Sequence, residues 1–218
     1  MEKTIQCQKT FRYHTLGNST EAKFLLYVLH GYGHLAEYFI QKFKEIDPDF
    51  YVVAPEGMHR FYLSGTSGRV GASWMTKEAR ETDIYDNLNW LNSLDEKISQ
   101  EKIFQKKIIL GFSQGGATAA RWANNGQINA DHVIYWASVF PPDLEITLND
   151  EAESNKNNHF VVGDQDQYFN DDQQKEILHY YSKKGYNTHH YNGNHSIEPT
   201  VLSEILAIVK KKGKLDEK

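Results

Sequence analysis

A mainly parallel α/β sheet with helices on both faces is the fold class this sequence predicts. Three observations point to it. Short, almost wholly apolar runs recur along the chain, as buried parallel strands do. Longer segments with apolar residues at helical spacing stand between them. Glycine-containing turns follow several of the runs, where a strand would hand over to a helix. With 218 residues, one domain over 1–218 is expected. A core of that size buries about 70% of the unfolded surface. No internal repeat and no linker rich in Pro, Gly or Ser marks a boundary.

Residues 3–14 alternate enough for an early strand or hairpin. Lys23–His30 is a continuous apolar run ending in His30-Gly31-Tyr32-Gly33, as a buried strand entering a tight loop would. Residues 36–46 place Tyr38, Phe39, Phe43 and Ile46 at helical spacing. Tyr51–Pro55 is the next strand. Residues 56–76 form a long loop containing four glycines, and loops of that length are often functional. Residues 77–101 predict a helix with Ile84, Leu88, Leu91, Leu94 and Ile98 on one stripe. A strand over Lys107–Gly111 and an Ala-rich helix over 114–125 follow. Further strands are expected at 132–138, 159–163 and 186–191, with helices at 170–184 and 199–212. Residues 213–218 are expected to form a flexible tail.

Composition narrows the function classes. Eleven Phe, thirteen Tyr and four Trp exclude a disordered chain. The 24 basic and 29 acidic residues, net −5, give no global reason to bind nucleic acid or an anionic membrane. The cluster Lys210, Lys211, Lys212 and Lys214 reads as a solvated last helical turn. A single cysteine, Cys7, cannot form an internal disulfide and reads as a strand residue. The N-terminus lacks an apolar stretch of signal-peptide length. The longest nearly apolar runs, 24–29 and 133–140, fall well short of the ~20 residues that span a bilayer. The expected location is cytoplasmic, without stable membrane insertion. The expected partner is a small molecule, and a homodimer is left open.

The chemistry concentrates after the strands, where ligands of such sheets bind. Gly111-Phe112-Ser113-Gln114-Gly115 is G-x-S-x-G between a predicted strand and helix, the setting of a nucleophile elbow. A serine at that turn is held out over the sheet, near the positive end of the helix. No G-x-x-x-x-G-K-[ST] is present, so a phosphate loop is excluded. Serine needs a base to accept its proton. His195, in Gly193-Asn194-His195-Ser196, lies in a loop after the last strand, at the same sheet edge as Ser113. His189 and His190 lie inside the strand pattern, where packing explains them. The acid that orients the base should follow an intervening strand, and Asp164 and Asp166 both do. Oxyanion donors are expected from the backbone N–H of Gln114 and, in the loop after the first buried strand, of Tyr32. No metal and no cofactor is implied, because the histidines lack a ligand spacing such as H-E-x-x-H.

These segments together, LHGYG (29–33), APEG (54–57), SW (73–74), GFSQGG (111–116), GDQD (163–166) and GNHS (193–196), resemble the carboxylesterase/phospholipase family of the α/β-hydrolases. That family includes the small bacterial carboxylesterases and the acyl-protein thioesterases. The resemblance runs from about residue 23 to residue 212 and implies the α/β-hydrolase fold without a large cap domain. It also implies a triad of Ser113, Asp166 and His195. Turn chemistry agrees: Asp164, first after the strand, is expected to accept an N–H two residues on, leaving Asp166 to reach the histidine. The family commonly follows its acid with Pro and an apolar pair, where this chain has Gln167-Tyr168-Phe169. The stretch 61–72 matches no well-studied substrate pattern. Trp74 is a candidate wall of the acyl pocket or a residue that packs the loop onto the core.

The expected function is therefore a serine esterase that works through an acyl-enzyme. Thioesterase and lysophospholipase activities use the same triad and are the alternatives. A non-catalytic, ligand-binding member of the fold is the reading from another class, and fluorophosphonate labelling at Ser113 discriminates it.

Overall fold

The computed structural model describes Met1, residues 3–144 and residues 157–211. In chain order, β1 (Tyr13–Leu16) and β2 (Phe24–Leu29) lead to α1 (Ala36–Phe39), which tightens into a 3-10 turn over Ile40–Phe43. Then come β3 (Phe50–Pro55), the hairpin β4 (His59–Tyr62) and β5 (Val70–Ser73), and α2 (Arg80–Glu101). The second half holds β6 (Lys106–Phe112), α3 (Gln114–Asn125), β7 (His132–Trp136) and β8 (His159–Gly163). It ends with α4 (Asp171–Lys183), β9 (Asn187–Tyr191) and α5 (Pro199–Lys211).

Seven strands make the main sheet in the order β1-β3-β2-β6-β7-β8-β9. β1 pairs antiparallel to β3, and every other pair is parallel. The central strands are buried on both faces, which explains why their sequences are continuously apolar. Alternate residues then serve two separate cores. Leu25, Tyr27 and Leu29 share one with Trp90, Leu91 and Leu94 of α2 and Trp122 of α3. Phe24, Leu26 and Val28 share the other with Phe39, Phe43 and the α5 residues Leu202, Ile205 and Leu206. Each fully buried Leu, Val or Phe stabilises by roughly 1.5–3 kcal/mol, so a one-residue slip of β2 would forfeit both cores at once. Local signals fix the helices. The start of α4 carries a reciprocal capping box between Asn170 and Gln173. The alanines of α3 favour helix, and its two glycines permit close packing on the sheet.

The predicted order of elements holds, with four local differences. The loop expected over 56–76 contains the hairpin β4–β5. Ordered pairing of the first segment begins only at Tyr13, and Cys7 is exposed and outside any strand. Residues 9–12 are held mainly by side chains: Lys9 donates to the Met58 carbonyl at 2.7 Å and Phe11 stacks on Trp90 at 4.7 Å, while the Arg12 carbonyl accepts from the Glu56 N–H at 3.2 Å. The helix expected over 36–46 is a single α turn followed by the 3-10 turn. Lys210 is not simply solvated, since its Nζ bridges Asp47 and Asp49, the latter at 2.7 Å. The expected tail over 213–218 lies outside the described residues, as do Lys212 and Lys214. No helix among the described residues is long and apolar enough to cross a membrane.

Candidate active site

Ser113 is the single residue between β6 and α3, and the chain reverses there with φ 53° and ψ −119°. A side chain rarely takes that conformation, and holding it costs on the order of 1–3 kcal/mol. The surroundings impose it. The Ser113 N–H donates to the Trp136 carbonyl at 2.9 Å, and the Gly116 N–H donates to the Ser113 carbonyl at 2.9 Å. Glycine is required next door, because a Cβ at Gly115 would sit 2.3 Å from the Leu29 carbonyl oxygen. Strand β6, the elbow and the end of β2 therefore meet backbone to backbone.

The loop after β2 lies against the elbow. A Cβ on Gly31 would come within 3.2 Å of the Ser113 Cβ, so Tyr32 follows directly on the closest approach. The hairpin straps this loop down: Gly33 N–H donates to Ala72, and Ala72 N–H donates to His34, at 2.9 and 3.1 Å. The Tyr32 ring is 59% exposed and packs on Phe61 of β4. Among the described residues, no acceptor takes the backbone N–H of Tyr32 or of Gln114. Two donors beside the elbow are thus left without protein partners.

Behind this loop stand groups that the sequence did not single out. His30 is fully buried; its Nε2 accepts from the Gly57 N–H at 2.9 Å and its Nδ1 lies 2.8 Å from the Gly31 carbonyl. That pairing needs the neutral imidazole with its proton on Nδ1. Burial pushes His30 down to about 4, against small opposing effects from Gly31 and Glu56. The unfolded chain therefore binds a proton between pH 4 and about 6.5 that the folded one does not, and stability rises with pH across that window. We expect the stability difference between wild type and His30→Gln to grow by about 3 kcal/mol from pH 4 to pH 7. Urea unfolding at stepped pH measures it, and a pH-independent difference would show that burial does not suppress the charge.

Glu56 plays a similar supporting part with charge. Its carboxylate accepts from Arg12 at 2.6 and 3.0 Å, from Arg60 at 2.7 Å and from the Ala36 N–H at 3.2 Å. Burial would raise this carboxyl, but the two arginines and the Ala36 N–H outweigh it and hold it below its ordinary range. One side chain thus joins the segment before β1, the start of α1 and β4. Gln114 does the same on the other flank. Its side chain accepts from the Trp74 N–H at 3.1 Å and donates to the Met75 carbonyl at 2.9 Å and Ser73 Oγ at 3.0 Å.

Trp74 itself is fully buried; its Nε1 donates to the His30 carbonyl at 2.8 Å and its ring stacks on the His30 ring. Those surroundings are those of a residue that packs the loop onto the core. A fully covered ring offers no face to an acyl chain.

The end of β8 and the loop after β9 complete the site. Asp166 Oδ2 lies 2.7 Å from His195 Nδ1, and Asp166 is 2% exposed. The other oxygen of Asp166 accepts from the Tyr168 N–H at 3.0 Å, which fixes the carboxylate in its own turn. Asp164 accepts instead from the Gly193 N–H at 3.0 Å, two residues before His195. The expected roles are thus interchanged in one respect. Asp166 makes the two-residue turn, and Asp164 ties the histidine loop to β8. The His195 ring packs between Phe112, at 4.8 Å, and Tyr168, at 4.5 Å. His189 and His190 lie on the edge strand β9, with His189 against His159 and His190 against Gln174. Ser113, Tyr32, Gln114, His195 and Asp166 therefore gather at one end of the sheet, and Trp74 lies beneath them.

The family model described as serine hydrolase (FSH1) matches residues 19–204. The chain belongs to the FSH1 serine hydrolase family. No protein with a curated description matches it in sequence. Solved structures do match this serine hydrolase across nearly its whole length. An acyl-protein thioesterase 2 from Zea mays is 17% identical, with a TM-score of 0.68 over 93% of this chain and 99% of that one. A carboxylesterase from Bacillus cereus is 15% identical, with a TM-score of 0.67 over 92% and 94%. Esterase PE8 is 19% identical, with a TM-score of 0.65 over 93% and 99%. At these identities the likeness carries the fold, and this serine hydrolase has the α/β-hydrolase fold.

Proposed function

We propose that this serine hydrolase cleaves carboxylic esters through an acyl-enzyme, with Ser113 as nucleophile, His195 as base and Asp166 as the acid that orients it. Two observations support the reading: the 2.7 Å contact between Asp166 and His195 Nδ1, and the elbow serine in a strained backbone that follows Phe112, the residue on which the His195 ring packs. A carboxylate on Nδ1 keeps the proton there and leaves Nε2 free to accept one. Ser113 Oγ attacks the ester carbonyl while His195 Nε2 takes its proton. The negative charge that develops on the carbonyl oxygen is met by the N–H groups of Tyr32 and Gln114. The C–O bond to the alcohol breaks, and the imidazolium returns the proton to the departing oxygen. Water then repeats the sequence on the acyl-enzyme and releases the acid.

A thioester is open to the same chemistry. A fluorophosphonate probe should label the wild-type protein once per chain, with the adduct on the Ser113 peptide by mass spectrometry. Matched oxygen and sulfur esters of one acyl group then rank the two leaving groups. Absence of labelling in folded protein would overturn the proposal.

A further inference from the structure

A second region of the same sheet end is built for charge. A cavity of about 720 Å³ opens between the loop after β2, α1 and the tip of the β4–β5 hairpin. Its walls include Tyr38, Leu63 and Val70, and the cations Lys42 and Arg69 line it beside His34. His34 joins it to the proposed catalytic centre: its ring stacks at 5.9 Å on Phe112, which also packs against His195.

The lining contains no carboxylate. Lys42 and Arg69 form no ion pair among the described residues, although the whole chain carries a net charge of −5. Two acids of neighbouring segments are engaged elsewhere: Glu56 is held by Arg12 and Arg60, and Glu45 pairs with Lys44. Glu37 of α1 is outside the lining. Burial, together with Lys42 and His195, holds His34 below its ordinary range, so the cavity draws its charge from Lys42 and Arg69. The N-terminus of α1 offers no phosphate cradle, because Glu56 already takes its Ala36 N–H. An Arg fork and a Lys ammonium above apolar walls suit a short carbon chain that ends in a carboxylate.

From this juxtaposition we propose that the preferred substrates are esters carrying a carboxylate, which Lys42 and Arg69 hold in the cavity while the ester carbonyl lies at Ser113. The inference rests on the esterase reading and adds its substrate class. Anchoring at a distance from the reacting atoms acts on substrate and transition state alike, so it should appear mainly in KM.

The test compares 4-nitrophenyl butyrate with mono-4-nitrophenyl glutarate, and phenyl acetate with 4-carboxyphenyl acetate, each scaled to its alkaline hydrolysis rate. The two pairs place the charge on the acyl or on the alcohol side. In at least one pair, kcat/KM for the carboxylate ester should exceed that of the neutral ester by about tenfold at low salt. The preference should shrink as salt screens it. In the Lys42→Gln/Arg69→Gln double variant the ratio should fall to about one, and in Arg69→Glu it should invert; melting temperatures confirm that both exposed substitutions leave the fold intact. Hydrolysis of neutral esters with no preference in either pair, or a preference that survives the double variant, overturns this inference and leaves the esterase reading standing. Greater preference for a phosphate-bearing ester also overturns the carboxylate assignment. Failure to hydrolyse any ester or to take the fluorophosphonate overturns both.

Discussion

Replacing Ser113 by Ala is expected to reduce ester hydrolysis by at least 10⁴-fold, the scale on which loss of a nucleophile acts in such triads. The loss should fall on kcat, because the side chain makes its covalent contribution only after the substrate is bound. Ser113→Gly should be equally inactive and, in addition, more stable. Alanine keeps the Cβ that makes φ 53° unfavourable, whereas glycine adopts positive φ freely. A gain of about 1 kcal/mol for the glycine variant is the expected size. Inactivity together with raised stability would separate a chemical role from a structural one. Retention of more than a few per cent of kcat in either variant, measured on freshly purified protein, would remove Ser113 from the mechanism.

The second large effect distinguishes two carboxylates that are two residues apart. Asp166→Asn is expected to cost about 10⁴ in kcat, because an amide can donate to Nδ1 and so stabilise the wrong imidazole tautomer. The protein should remain folded, since Asn can still accept from the Tyr168 N–H that Asp166 now satisfies. Asp164→Asn should cost about tenfold or less. Its oxygen accepts from the Gly193 N–H, and the amide oxygen of Asn can do the same. Asp164→Ala is the sharper variant: it frees the loop that carries His195 and should lower kcat and stability together. Steady-state kinetics beside urea unfolding read all three. Greater loss of kcat in folded Asp164→Asn than in Asp166→Asn would reassign the acid.

Much of this site is legible in the amino-acid sequence because its residues sit in local patterns. Ser113 lies in a five-residue motif, Asp166 follows an apolar strand by a few residues, and His195 sits in a glycine-containing loop just after the last strand. The supporting groups are not legible for the opposite reason. His30 meets Gly57, Glu56 meets Arg12 and Gln114 meets Trp74 across 27, 44 and 40 residues of chain. Nothing in the local spacing of those residues announces the contact. The hairpin β4–β5 escapes for another reason: its two strands have four residues each, and β4 alternates half-covered and exposed positions next to several glycines. β4 buries too little to impose a pattern, and β5, though mostly covered, is only Val-Gly-Ala-Ser, too short and too small-sided to read as a strand. The first segment errs the other way. Its alternation is real, but only Tyr13–Leu16 finds a partner strand, so the preceding residues keep the pattern without the ladder.

The rims of the sheet bear on how the protein behaves in a crowded solution. One rim is β1, four residues long and mostly half-covered; the other is β9, whose Asn187, Thr188 and His190 are exposed. An open row of N–H and C=O groups invites a strand from another molecule, and short, polar rims are how folded proteins discourage it. The aggregation-prone sequences here, such as Phe24–Leu29, lie at the middle of the sheet and are fully covered. Clumping of this protein on heating should therefore follow the unfolding transition rather than precede it, because strand addition at either rim would have to begin on a few polar residues.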